Sequence, residues 1–300
     1  MKEIKSVKGH GAALITILIW GTTFVSTKIL LVDFMPIEIL FYRFSIGLIV
    51  LLIAYPHRLK GTGIKQELMF MAAGLCGVTL YFLLEIIALT YTAASNVGVI
   101  CSMAPFFTAL LANWLLNEEK PKVNFFIGFL VAMTGISLIS FSGSTVLKLN
   151  PVGDLLALMA TFVWAIYSIL LRKISEFGCN TIQTTRNILF YGLAFMIPIL
   201  FLFRFNWGIE RFSQPANIIN ILFLGLGASA LCLVTWNFAV KLLGAVKTSV
   251  YIYLVPVVTV AASVIVLSEK ITWMSALGIV LTLAGLFLSE KKVKLNAKEL

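Results

Sequence analysis

The chain has 300 residues, 60% of them hydrophobic and 12% charged, with a formal net charge of +10 and a mean hydropathy of +1.01. Soluble domains carry about 25% charged and roughly 45–50% apolar residues, so this composition cannot clothe a water-exposed surface; disorder, which needs low hydrophobicity and high charge, is excluded as well. Only four cysteines occur, too few for a disulfide-stapled scaffold, and the basic residues are dispersed among loop ends rather than gathered into a nucleic-acid-binding patch.

Apolar runs separated by turn and charge punctuation predict spans near 10–30, 36–55, 67–90, 95–117, 123–141, 153–172, 182–203, 217–240, 247–268 and 272–289. Each span needs about 20 mainly apolar residues, which leaves only short loops and no soluble domain. Peptide groups in hydrocarbon must be satisfied inside a helix or a closed barrel, and the run 155–171 lacks the alternation of a barrel strand. The expected fold is therefore an all-α polytopic membrane protein with ten transmembrane helices. The first apolar run is too long for a signal-peptide core and is read as a retained span. With the N-terminus inside, 16 of the 23 lysines and arginines fall on the cytoplasmic side and five on the outer side, Arg43 and Arg186 lying within spans. That bias predicts a cell-membrane protein with both termini cytoplasmic.

The two halves resemble each other. Residues 88–105 align with 239–256, which sets Pro105 opposite Pro256 and Glu118 opposite Glu269. After a one-residue slip, Gly128 and Gly135 meet Gly278 and Gly285, and the stretch from Trp20 to Lys28 matches that from Trp164 to Arg172. The halves, 1–145 and 146–300, hold five spans each, and an odd number forces the second copy to enter from the opposite side. The expectation is thus two inverted five-helix repeats, the architecture of alternating-access transporters, with the substrate near the repeat interface. Chance alignment of low-complexity helices is the alternative.

The segments Thr92-Ala-Ala-Ser-Asn-Val97, Met103-Ala-Pro-Phe-Phe-Thr-Ala-Leu-Leu-Ala112, Leu115-Leu-Asn-Glu-Glu119 and Ile127-Gly-Phe-Leu-Val-Ala-Met-Thr-Gly-Ile136 are similar to the EamA-type repeat of the drug/metabolite transporter superfamily. The second copy reads Leu254-Val-Pro-Val257, Leu267-Ser-Glu-Lys270 and Leu277-Gly-Ile-Val-Leu-Thr-Leu-Ala-Gly285. The resemblance covers nearly the whole chain. It implies a ten-helix bundle whose central cavity is lined mainly by helices 1, 3, 4, 6, 8 and 9. It also implies export of amino acids, other metabolites or drugs, coupled to protons or running down gradients.

Glu85 is the most informative single residue. It lies about 7 Å below the outer end of the third span on a rise of ~1.5 Å per residue. Intramembrane charges face a cavity or a partner. The carboxyl is a candidate cation-binding or proton-coupling site; a structural pair with Arg43 or Lys28 is the alternative. Tyr81 precedes it by four residues and shares its helical face. Trp20 and Trp164 lie inside their spans rather than in an interfacial belt, Trp236 is the positional mate of Glu85, and Tyr251 is the mate of Ile100. Together these rings could wall a cavity for an amphipathic metabolite, with cation–π contact to an ammonium group; ordinary packing is the alternative for each ring taken singly. Asn96 and its mate Lys247 stand at span ends and complete the candidate binding set.

Arg43 and Arg186, early in the second and seventh spans, read first as anchors that reach an interface, and otherwise as gating residues. Pro105 and Pro256 remove helical hydrogen bonds and are expected to kink their spans as gating bends. The paired glycines predict small-residue seams on the fifth and tenth spans, and Glu118 and Glu269 read as solvated helix ends.

No cofactor or metal is expected, because ligand clusters, nucleophile elbows and phosphate loops are all missing from the sequence. The functional expectation is a secondary transporter exporting a small cationic, zwitterionic or amphipathic metabolite. A nucleotide-sugar or sugar-phosphate antiporter is the alternative within transport, and a membrane-embedded enzyme the alternative from another class. The expected partners are a small-molecule substrate and the lipid bilayer, without nucleic acid, for a chain acting as a monomer or alternatively a homodimer.

Overall fold

Helix is the sole regular structure among the described residues, as hydrocarbon demands of a chain that does not close a barrel. The computed structural model describes residues 2–57, 59, 63–92, 94–116, 121–141, 150–203, 205, 208, 210–267 and 272–290. Glu118, Glu269, Lys120 and Lys270 lie outside them, as do the side chains of Asn96 and Lys28.

The first helix, α1 (Lys2–Leu30), starts well before the apolar run, since no proline or capping signal interrupts its polar opening turns. It is followed by α2 (Pro36–Ala54) and by α3 (64–91), built from Ile64–Gly74, a π-helical turn Leu75–Leu80 and Tyr81–Tyr91. Next come α4 (94–115), broken between Ala94–Cys101 and Ala104–Leu115, then α5 (Val123–Phe141), α6 (Pro151–Ser175) and α7 (Thr181–Leu202). The chain continues with α8 (Pro215–Leu243), whose segment Phe223–Leu231 is π-helical. The last two are α9 (245–267), interrupted by a 3₁₀ turn at Tyr251–Tyr253, and α10 (Trp273–Glu290). The eight segments from α2 to α9 are long and apolar enough to cross a membrane, and α10 carries a shorter apolar stretch, Trp273–Ser289.

Local chemistry sets several of the starts. Asn150 and Asn180 cap α6 and α7, their side chains accepting from Val152, Gly153 and Ile182 backbone N–H groups, and Pro36, Pro151 and Pro215 occupy first helical turns. Between α8 and α9 the chain turns on Gly244 alone, at φ 89° and ψ 165°, a conformation open essentially to glycine.

The two halves interlock rather than sit side by side. The first helix packs along α8 and α9, and α6 packs along α3 and α4. In the same exchanged sense, α2 lies on the π segment of α8 and α7 on the π segment of α3. The most extensive contact of all joins α5 to α10. A Cβ on Gly135 would sit 2.5 Å from both the Gly278 carbonyl oxygen and the Thr282 nitrogen, and one on Gly285 would sit 2.4 Å from the Ala132 nitrogen. The expected small-residue seams therefore face each other, and backbone meets backbone where no side chain could yield.

A Gly135→Val variant should lose about 1–3 kcal/mol or more of stability, because overpacking against backbone leaves no rotamer to escape into. Thermal unfolding in detergent checks this, with Gly11→Ala, where a Cβ meets nothing within 4 Å, expected to match the wild type.

Candidate functional site

Three tryptophans from three helices meet in the middle of the bundle. Trp20 of α1 stands 5.7 Å from Trp164 of α6 and 5.2 Å from Trp236 of α8, ring centre to ring centre, and Trp164 and Trp236 are 6.1 Å apart. Tyr81 of α3 tilts onto Trp164 at 4.8 Å. These are the spacings at which aromatic pairs each contribute about 0.5–1.5 kcal/mol beyond burial alone. The Trp20 indole N–H donates to the Ala228 carbonyl oxygen at 3.2 Å, within the π-helical segment of α8.

Glu85 joins this cluster through Tyr81, whose hydroxyl donates to Glu85 Oε1 at 3.1 Å. The shared face expected from their spacing of four is the one that points inward. Glu85 keeps part of its surface accessible, as do Tyr81, Trp20 and Cys101, whereas Trp164 is 5% exposed and Trp236 fully buried. The acid therefore sits at the partly accessible edge of the aromatic cluster, with the two buried indoles behind it.

Arg43 of α2 is within electrostatic reach of Glu85. It does not reach an interface as an anchor would; it is 8% exposed, donates from Nε to Ser229 Oγ at 2.9 Å, and lies over the rings of Phe44 and Phe82 at 5.0 and 5.3 Å. Among the described residues no salt bridge reaches Glu85, and Arg43 acts on it through space. Arg186, by contrast, is an anchor: its guanidinium donates to the Tyr55 and His57 carbonyl oxygens and holds the end of α2.

The prolines do what their chemistry requires. Helix α4 breaks at Ser102–Met103 just ahead of Pro105, and α9 tightens into its 3₁₀ turn just ahead of Pro256. Below the breaks, Ala104–Leu115 of α4 packs on Ala245–Val250 of α9. Above them, Ala94–Cys101 and Leu254–Leu267 make no comparable contact among the described residues. The cleft between α4 and α9 is thus closed on the side where α1 begins and widens toward the opposite, far side.

Tyr251 belongs to the closed side. Its hydroxyl lies 2.6 Å from His10 Nδ1 of α1, so it seals the floor of the cleft rather than joining the tryptophans. Lys247 is exposed on the first turn of α9, one turn before Tyr251 and on the same side. The backbone of Asn96 is helical in the far-side half of α4.

One feature of the site had little signal in the sequence. Tyr167 packs on Trp164 at 5.1 Å and donates to Asn237 Oδ1 at 3.2 Å, while Asn237 donates to Thr185 Oγ1 at 2.8 Å. This buried chain links α6, α8 and α7 behind the cluster. A polar residue such as Asn237 inside an apolar span was the only hint of it. Tyr167 also explains Gly77, where a Cβ would lie 2.4 Å from its ring.

The sequence model of the EamA-like transporter family matches residues 7–141 and again 151–290. A protein of Archaeoglobus fulgidus named "Uncharacterized transporter" is 28% identical over 95% of this chain and 98% of its own length. "Uncharacterized transporter YyaM" of Bacillus subtilis is 27% identical over 93% of each chain. A crystal structure of another protein, 18% identical, superposes with a TM-score of 0.79 over 97% of both chains, a likeness of fold.

If Arg43 and Glu85 are electrically coupled, then Arg43→Met and Glu85→Gln will not be additive. The double variant should recover ~1–3 kcal/mol relative to the sum of the singles, measured by thermal or denaturant unfolding. Strict additivity would separate the two groups.

Proposed function

The chain belongs to the EamA-like transporter family and is a multi-pass membrane transporter; on that premise we propose that it exports a small cationic, zwitterionic or amphipathic metabolite by alternating access. The observation that carries this reading is Glu85, partly accessible and bonded to Tyr81, with Trp20, Trp164 and Trp236 alongside.

A carboxylate among aromatic faces selects for positive charge, because desolvated cation–π contact adds about 2 kcal/mol or more to the ionic attraction. A proton competes for the same carboxyl, which couples export to the proton gradient. The back of the cleft offers Arg43 to the negative end of a zwitterion. A nucleotide sugar or sugar phosphate would need several cations inside the cleft, and Lys247 stands at its closed side instead.

The cycle we propose is a rocking of two inverted repeats, 1–145 and 146–300, that together span the membrane ten times with both termini in the cytoplasm. The double family match and the exchanged packing of α1 and α6, and of α2 and α7, support the repeats. On this orientation the structure is the outward-open state. The bends at Pro105 and Pro256 are where α4 and α9 would part on the cytoplasmic side as they close on the outer one. The contact of His10 with Tyr251 would break at the same moment.

In proteoliposomes screened electrically with a panel of cationic and zwitterionic substrates, Glu85→Gln should abolish the dependence of transport on a pH gradient while the protein folds normally. Transport that keeps the wild-type pH response in Glu85→Gln would remove Glu85 from the mechanism. In a variant retaining Cys101 as its sole cysteine, a membrane-impermeant thiol reagent should label it from the outside of the cell, and saturating substrate should slow the labelling.

A further inference from the structure

A cavity of about 690 Å³ lies away from the aromatic cluster, on the side of the bundle where α1 begins. It is bounded by the start of α3 (Gly63, Lys65, Gln66, Met69), the end of α4 (Leu115, Leu116) and the end of α6 (Arg172, Lys173, Glu176, Phe177). Its size falls in the range of about 300–1,000 Å³ usual for small-ligand sites.

Three properties distinguish it from a row of topology-marking cations. First, Lys65, Arg172 and Lys173 reach one space from two different helices, and Glu176, the one carboxylate among the described lining residues, pairs with Arg172 at 4.0 Å. Second, the N-cap of α3 is Gly63, which has no side chain to accept from the first turn, so the positive end of that helix opens on the same space. Third, Met69, Leu115, Leu116 and Phe177 give the lining an apolar side next to the polar Gln66. Helix α6 packs against both α3 and the lower half of α4, and the apolar Ile64, Leu68 and Leu115 at or next to the cavity are exposed.

We propose that this groove is a binding site for an anionic phospholipid. The phosphate sits among Lys65, Lys173 and the opening turn of α3, and an acyl chain runs down over Met69, Leu115 and Leu116. A zwitterionic lipid carries no net charge for the cations to neutralise, and a soluble phosphate makes no use of the apolar wall. Charge complementarity together with the exposed apolar residues beside the cations selects the anionic lipid. The lipid lies between α3, α4 and α6 on the side where the cleft is closed, so it braces the closed end of the cleft.

Native mass spectrometry of the detergent-purified full chain, titrated separately with phosphatidylglycerol and phosphatidylcholine, tests this. The wild type should retain phosphatidylglycerol in preference to phosphatidylcholine. A Lys65→Gln/Lys173→Gln variant should lose about tenfold or more of that retention. Glu176→Gln, which removes the opposing charge, should retain more, and Lys8→Gln, an exposed cation elsewhere on the same side, should behave as wild type. Each variant is first shown to keep the wild-type elution volume and helical circular dichroism. If the double variant does not fold, Lys65→Gln alone, at an exposed first-turn position, takes its place. Equal retention of the two lipids by the wild type overturns the proposal, as does undiminished retention by the lysine variants. Displacement of the lipid by inorganic phosphate at equal concentration overturns the lipid assignment in favour of a soluble anion. The readout is lipid retention alone, so its failure leaves the role of Glu85 unaffected.

Discussion

Everything else in this protein depends on how closely helix backbones approach one another where the two halves meet. Lipid tails are as apolar as the helices they surround, so hydrophobic exclusion does little to drive one helix against another. What remains is packing, and packing tightens only when side chains are small. Gly128, Gly135, Gly278 and Gly285 let α5 and α10 touch backbone to backbone, and Gly74 brings α3 equally close to the backbone of α7 at Ile188 and Gly192. Each of these contacts joins one half of the chain to the other.

The π-helical turns of α3 and α8 adjoin the central site residues. A π turn disturbs the regular pattern of carbonyl acceptance, and such turns occur often at functional sites. The turn in α8 presents the Ala228 carbonyl to Trp20 and sets Ser229 beneath Arg43; the one in α3 precedes Tyr81 and Glu85 directly. The irregular segments of α3 and α8 thus aim the acid, the base and an indole at the same central region.

Charge is handled differently at the two ends of the cleft. On the far side, the buried Glu38 pairs with Arg211 at 2.5 Å and accepts from the Met35 backbone N–H, while Asn217 ties Asp33 to the Arg211 carbonyl. That network fastens the α1–α2 turn to the segment before α8, and a buried pair with its hydrogen bonds satisfied is costly to break. Near the centre, Glu85 accepts from a tyrosine hydroxyl and feels the Arg43 guanidinium, and among the described residues no salt bridge reaches it. Fully paired acids hold structure together, and an incompletely paired one retains the capacity to bind something else.

Much of this was legible beforehand. Hydropathy marked the apolar segments, the spacing of Tyr81 and Glu85 placed them on one face, and the matching prolines and glycines announced a duplicated pattern. These features are local or periodic, and each follows from helix geometry and the absence of water in a bilayer. Distance between helices is not local. That Trp20, Trp164 and Trp236 share one cluster while Tyr251 turns to His10, that Arg43 lies in the core while Arg186 caps α2, and that the cleft opens on one side only were decided by which helices pack together. Residues more than 200 positions apart meet across the bundle, and no periodicity along one helix specifies its neighbour. The sequence by itself determined a helical membrane transporter with an acid in its interior; the tertiary structure alone decided what surrounds that acid, because only packing between the halves brings the surroundings into being.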